Sequence, residues 1–400
     1  MKSFGLLAAA SAAAAAVMEL PVRIQDSYSS VALSVGSPPR TYFLLFDTGS
    51  STTWITSTGC TETSCPNPRP YARTSYSTNA SSTSQDLNSF SRIPYIDGDS
   101  VAGAAIIDTF ADHAGGFEWN QTFLSVNESS WRWITADGFV GLGFSSIAED
   151  NTTSLVETLL WDGQLDEPRV GLFYGNNLGE EGEQNGVLTI GGSEEEKYVE
   201  GDVVYAPLLK EGPYQVWRAP LRSVNVLVTR DPNATVTMKV GSLPDTTDVE
   251  GVWPKANTTW PMYGSGRAVF DTGAGRISLP EEIISAVYFN LGWNMTALMW
   301  GDERMDCQHL NASWAITFTL GEGAEEDDVS FSIRGDEFTS PGGQCMPPLD
   351  ASGGYGFALI GTTFLKRHYS VFDYGADKVE NYAPRIGFGR LKKQWDWLYQ

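Results

Sequence analysis

FLLFDTGSSTTW, residues 43–54, carries an apolar run onto an aspartate, with a glycine two places later and hydroxyl residues packed around it. Such a run reads as a buried strand, and a carboxylate at its end is unfavourable unless it is hydrogen-bonded or held for chemistry. The arrangement returns in RAVFDTGAGRISLP, residues 267–280. Each copy is followed, at nearly the same distance, by an apolar-apolar-glycine triplet: Phe139-Val140-Gly141 after Asp47, and Leu359-Ile360-Gly361 after Asp271. Two similar halves, each giving one aspartate to a shared cleft, account for the repeat.

Composition sets the limits. A chain of 400 residues, 42% hydrophobic and 12% aromatic, buries a large core and is expected to form two domains of ordinary size. The 49 acidic against 26 basic residues give a formal charge of -23, which repels nucleic acid and anionic membranes. Most of that acidity, as in the EEEK of 194–197 and the EEDD of 325–328, reads as solubility.

The opening MKSFGLLAAASAAAAAVM has one basic residue, an apolar Ala-rich run and A-x-A sites, the pattern of a secretory signal peptide over residues 1–20. No later segment has the length or apolarity of a spanning helix, so no membrane span is expected in the mature chain, which is read as secreted and monomeric. Eight N-x-[ST] sequons, at Asn79, Asn120, Asn127, Asn151, Asn233, Asn257, Asn294 and Asn311, point to a glycoprotein of the secretory route. Four cysteines allow three pairings in an oxidising compartment. Cys60 and Cys65 are spaced to close one small loop, leaving Cys307 and Cys345 for a larger one. Three histidines, His113, His309 and His368, argue against a metal site.

The texture is β throughout. VALSV (31–35), AAIIDTF (104–110), GVLTIGG (186–192), WAITFTL (314–320) and VSFSI (329–333) are short apolar or alternating runs between Gly, Asn, Asp and Pro clusters. Helices are expected at SLVETLLWD (154–162) and PEEIISAVYFNLGW (280–293), the latter opening on Pro and two acids. No G-x-S-x-G elbow, H-E-x-x-H zinc helix or P-loop occurs, and GGYG (353–356) reads as a turn.

VGSPPR (35–40), FDTGSSTTWI (46–55), YIDGDSVAG (95–103), DGFVGLGF (137–144), VFDTGAG (269–275) and ALIGTTFLKRHYSVFD (358–373) together resemble the secreted pepsin-like aspartic proteases common in fungi, over about residues 26–390. The resemblance implies an all-β bilobal fold: an N-terminal lobe with a β-hairpin flap (21–203), a C-terminal lobe (204–400), and an active site in the cleft between them. It also implies protein or peptide substrates and no cofactor or metal. Asp47 and Asp271 would be the catalytic pair, because two carboxylates roughly 3 Å apart share one proton and let one act as base on a water and the other as acid on the peptide carbonyl. Thr48 and Thr272 would lock the loops across the two-fold axis, Gly49 and Gly273 would bring backbone amides to the carboxylates, and Ser50 would bond the outer oxygen of Asp47. Tyr95 matches the flap tyrosine, Trp54 the tryptophan that orients it, and Asp97 with Gly98 the flap turn, Asp97 being placed to contact substrate. Leu45, Phe139 and Val269 are candidates for pocket walls as well as for core.

Three positions depart from the family pattern. Ala274 stands where Ser or Thr is usual, so a donor to ionised Asp271 is missing and its pKa is expected to rise. Thr362 replaces a residue that is often acidic, and Ile96 follows the flap tyrosine where glycine is usual, a β-branched substitution expected to stiffen the flap. Members also carry a basic prosegment, whereas only 46 residues precede Asp47. The chain is expected to emerge active, to lack its beginning here, or to bind a protein or polysaccharide partner in the cleft without cleaving it. A cell-wall structural role finds no repetitive or low-complexity sequence to support it.

Overall fold

The computed structural model describes residues 16–68, 71–175, 183–229, 235–240, 247–252, 257–338 and 345–395. Strands dominate, in a 13-stranded and an 8-stranded sheet with one separate two-stranded pair. Arg40–Asp47 is buried along its last four residues, which is why it reads as a solid apolar run rather than an alternating one. It runs parallel to Gly138–Gly141, with Asp47 opposite Gly141, and Trp54–Thr56 lies antiparallel on the far side of that strand. The second half repeats the unit. Arg267–Phe270 runs parallel to Phe357–Ile360, with Phe270 opposite Ile360, and Ile277–Leu279 lies antiparallel beyond it. The sequence repeat is therefore a structural one, and each copy delivers its Asp-Thr-Gly to the same end of a parallel strand pair.

The flap is the hairpin of Gln85–Pro94 and Ser100–Asp112, closed by the turn at 95–99 with Pro94 opposite Ser100. Both expected helices form. Leu155–Trp161 is capped by Ser154, whose side chain accepts from Glu157 N–H, and Glu281–Leu291 follows Pro280 and ends on Gly292, left-handed at φ 82°. Ile283, Ile284, Val287 and Tyr288 of the second helix are buried, so its apolar stripe faces the core. Disulfides join Cys60 to Cys65 and Cys307 to Cys345, with Cα atoms 5.5 and 5.3 Å apart.

Two features of the fold bear on the expected boundaries. The halves are not separate sheets: Val204–Pro207, His368–Asp373 and Arg385–Arg390 continue the 13-stranded sheet of the first half, through pairing of His368–Asp373 with Arg169–Phe173. A line at 203/204 thus cuts a platform that both halves build. The strand Met18–Gln25 overlaps the segment 1–20 by three residues, and it packs Met18 and Leu20 into the core opposite Ile190 and Leu188. A cut that keeps this strand whole falls before Met18.

Candidate active site

Asp47 is the last residue of its strand, and Asp271 follows directly on Arg267–Phe270. Each loop then folds back on its own carboxylate: Gly49 N–H donates to Asp47 Oδ1 at 2.8 Å and Gly273 N–H to Asp271 Oδ1 at 2.7 Å. The threonines between cross from one half to the other. Thr48 N–H donates to Thr272 Oγ1 and Thr272 N–H to Thr48 Oγ1, both at 3.0 Å, while the two hydroxyls donate to Phe270 O and Phe46 O at 2.8 Å. All four bonds are buried, where a lost partner is most unfavourable, so the loops have one way to meet.

The glycines fix how closely they meet. A Cβ on Gly49 would fall 2.5 Å from Asp271 Oδ2, and one on Gly273 would fall 2.7 Å from Asp47 Oδ1. Each loop therefore backs its glycine onto the other loop's carboxylate, and both carboxylates occupy one space. Asp271 stays partly open to the cleft while protein encloses its carboxyl elsewhere. That burial, then the adjacent Asp47 charge and the hydrogen bond with Asp47, push its pKa well above the ordinary range, against the lowering effect of the Gly273 and Ala274 amides. Ser50 Oγ donates to Asp47 Oδ2 at 2.5 Å, and no equivalent hydroxyl stands at Ala274. Thr362 Oγ1 donates to Gly275 O at 3.2 Å, away from the carboxylate.

Tyr95 sits at the start of the flap turn, its hydroxyl accepting from Trp54 Nε1 at 2.8 Å. Its ring lies edge-on to Trp131 at 5.3 Å and 5.9 Å from Phe139, which stacks on Trp54 at 4.8 Å. Burial, then the Asp47 charge, raise the phenol's pKa well above normal, so it stays protonated. Asp97 is exposed at the tip and its Oδ1 accepts Asp99 N–H at 3.0 Å, and Gly98 takes the left-handed φ of 92° that the turn requires. Ile96 points outward, 73% exposed. Leu45, Phe139 and Val269 are all buried, so they underlie the cleft as core rather than forming open pocket walls.

Sequence reasoning missed Asp137. Fully buried, it accepts from Phe43 N–H at 2.8 Å, Thr74 N–H at 2.6 Å and Tyr71 Oη–H at 3.2 Å, tying the Asp47 strand to the loop at 71–76. Burial raises its pKa and those donors work against the rise. The Asp-Gly before Phe139 was the available signal. Among the described residues, no group of His, Cys, Asp and Glu is arranged to hold a metal ion.

A family model described as eukaryotic aspartyl protease matches residues 28–383. The chain belongs to this family. Among its curated relatives, mouse gastricsin is 24% identical over 378 residues, covering 92% of this chain and 84% of the relative. Chicken embryonic pepsinogen is 24% identical over 353 residues, covering 87% and 78%. A probable vacuolar protease A of Trichophyton verrucosum is 27% identical over 358 residues, covering 87% and 76%. No helix among the described residues is long and apolar enough to cross a membrane.

Proposed function

We propose that this protein is an aspartic endopeptidase whose catalytic pair is Asp47 and Asp271. The observation that carries the reading is the four-bond threonine clasp, which leaves two carboxylates no arrangement but a shared one. Ser50 supports charge on Asp47, whereas burial and the neighbouring charge favour the neutral form of Asp271. Asp47 is then the base and Asp271 the acid. As water attacks the carbonyl carbon, Asp47 takes its proton and Asp271 protonates the carbonyl oxygen. Asp47 next gives its proton to the amide nitrogen as the C–N bond breaks, and Asp271 recovers one from the collapsing diol. Tyr95, held by Trp54, covers this step and excludes water, and Asp97 on the tip meets the substrate.

The substrate is an extended segment of protein or peptide, since an open cleft under a hairpin admits a strand-like chain. The protein works as a monomer without cofactor, and it reaches its site of action by the secretory route as a glycoprotein. Six sequon asparagines (Asn79, Asn120, Asn127, Asn151, Asn257 and Asn311) are exposed. Asn294 is half-buried and caps Met295–Trp300, and Asn233 lies outside the described residues. The test is cleavage of a denatured protein between about pH 2 and 7, with and without a statine-type transition-state mimic, alongside Asp47→Asn. Cleavage blocked by the mimic and abolished by the substitution is expected; no cleavage by the folded, disulfide-bonded protein would refute the reading.

A further inference from the structure

The flap turn does not stand free. Ser130, just beyond the strand Glu118–Ser129, meets it four times: Ser100 N–H donates to Ser130 Oγ at 2.7 Å, Ser130 Oγ donates to Asp99 Oδ1 at 2.7 Å and lies 3.3 Å from Ser100 O, and Ser130 N–H donates to Ser100 O at 2.9 Å. A hydroxyl carries one proton and two lone pairs, so it can accept from Ser100 and donate to Asp99 at once. Asp99 O in turn accepts Tyr95 N–H at 2.8 Å, which closes the turn. One residue therefore separates Ser130 from the tyrosine that Trp54 holds at the start of the flap turn.

The segment is also held from behind. Ser129 is buried, and its N–H donates to Ser64 O at 2.8 Å, inside the loop that Cys60 and Cys65 close. Its hydroxyl accepts from Trp131 N–H at 3.2 Å, and the Trp131 ring is the one set edge-on to Tyr95. Arg92 on the outer flap strand pairs with Glu128 just before the segment. Residues 128–131 thus touch the flap on its strand, its turn and its tyrosine ring, with a covalently closed loop as the backing.

We propose that Ser130 is a positioning residue for the reaction, fixing through Asp99 and Ser100 the turn that seats Tyr95, with the Cys60–Cys65 loop as its anchor. The proposal rests on the endopeptidase reading of the cleft. Without the hydroxyl, Ser100 N–H and the Asp99 carboxylate turn to water and the flap spends less time closed, so ordering it falls to the substrate.

Ser130→Ala tests this directly. Ser130 is exposed and outside the Asn127-Glu128-Ser129 sequon, so the variant opens no core cavity and leaves the glycosylation signal intact. For a peptide long enough to pass under the flap, kcat/KM is expected to fall about tenfold, mainly through KM, with the melting temperature within about 2 °C of the parent. Ser130→Thr keeps the hydroxyl and restores KM. Asp99→Ala gives a similar loss, and the double variant is no worse than either single one. Hydrogen exchange at the Ser100 amide quickens in Ser130→Ala whether or not the protein cleaves anything, so a parent without activity would refute the cleft reading while this readout still decides the brace. Unchanged KM with unchanged Ser100 exchange, or Ser130→Thr no better than Ser130→Ala, would overturn the proposal.

Discussion

At Asp47 the residue after the glycine supplies a side-chain donor, Ser50 Oγ, 2.5 Å from Oδ2; at Asp271 the same step is Ala274, whose backbone N–H reaches Oδ1 at 3.3 Å and whose methyl offers nothing. Everything beneath is matched: parallel strand pairs, glycines against the opposite carboxylate, and threonine bonds of equal length across the halves. Symmetry brings the carboxylates together, and in the proposed reaction the unmatched Ser50 hydroxyl would give them different work. A donor to the charged form favours that form, so the loop with Ser50 suits the carboxylate and the loop with Ala274 suits the acid. Thr362 does not compensate, because its hydroxyl is committed to Gly275 O.

The comparison can be broken at several levels. Asp47→Asn should reduce kcat by about 10³-fold, read on a peptide substrate, with the fold intact by circular dichroism. Thr48→Val and Thr272→Val each strand a buried amide and a carbonyl of the other half and should each cost about 2–4 kcal/mol in denaturant unfolding. Equal losses are expected from the matched bonds, and a clear inequality would show that the clasp is less symmetric than its distances. Tyr95→Phe removes the acceptor for Trp54 Nε1 and should lower kcat/KM about threefold to tenfold with little change in stability.

Ala274→Ser sharpens the comparison most finely. A hydroxyl donor favours ionised Asp271, lowers the pKa of the proton it holds, and should move the alkaline limb of the pH-rate profile down by about one unit. Stability carries the same sign. The folded Asp271 keeps a proton that the unfolded chain releases near pH 3.8, so its contribution is present below that pH and is lost as pH rises through the raised folded value. Asp271→Asn should therefore melt higher than the parent at neutral pH, with the gap closing towards pH 3.

The parts that could be read in the sequence are those written locally. FLLFDTGSS and RAVFDTGAG state a buried strand and a glycine turn within a dozen residues, and WAITFTL states its alternation in seven, which is the strand Trp314–Leu320 with every second residue buried. The shared platform could not be read, because a strand's pattern says which face is buried and not which strand lies beside it. Nothing in HYSVFD announces that Phe372 will pair with Val170 rather than with a neighbour in its own half. Asp137 and Ser130 were hidden for a related reason. Their partners lie far away in sequence, so the Asp-Gly marks a turn without naming what its carboxylate will hold, and Ser-Ser-Trp gives no sign of the flap. Phe139, read both as core and as a candidate pocket wall, is buried and stacks on Trp54.

The most direct measurement is the pH dependence of kcat/KM for a peptide substrate from about pH 2 to 8, for the parent and for Ala274→Ser. The account predicts a bell with two apparent pKa values belonging to the pair, its alkaline limb reaching into less acidic pH than an unassisted carboxylate allows and retreating by about one unit when the hydroxyl is added. A profile that peaks sharply at very low pH, or an alkaline limb that Ala274→Ser leaves in place, would contradict it.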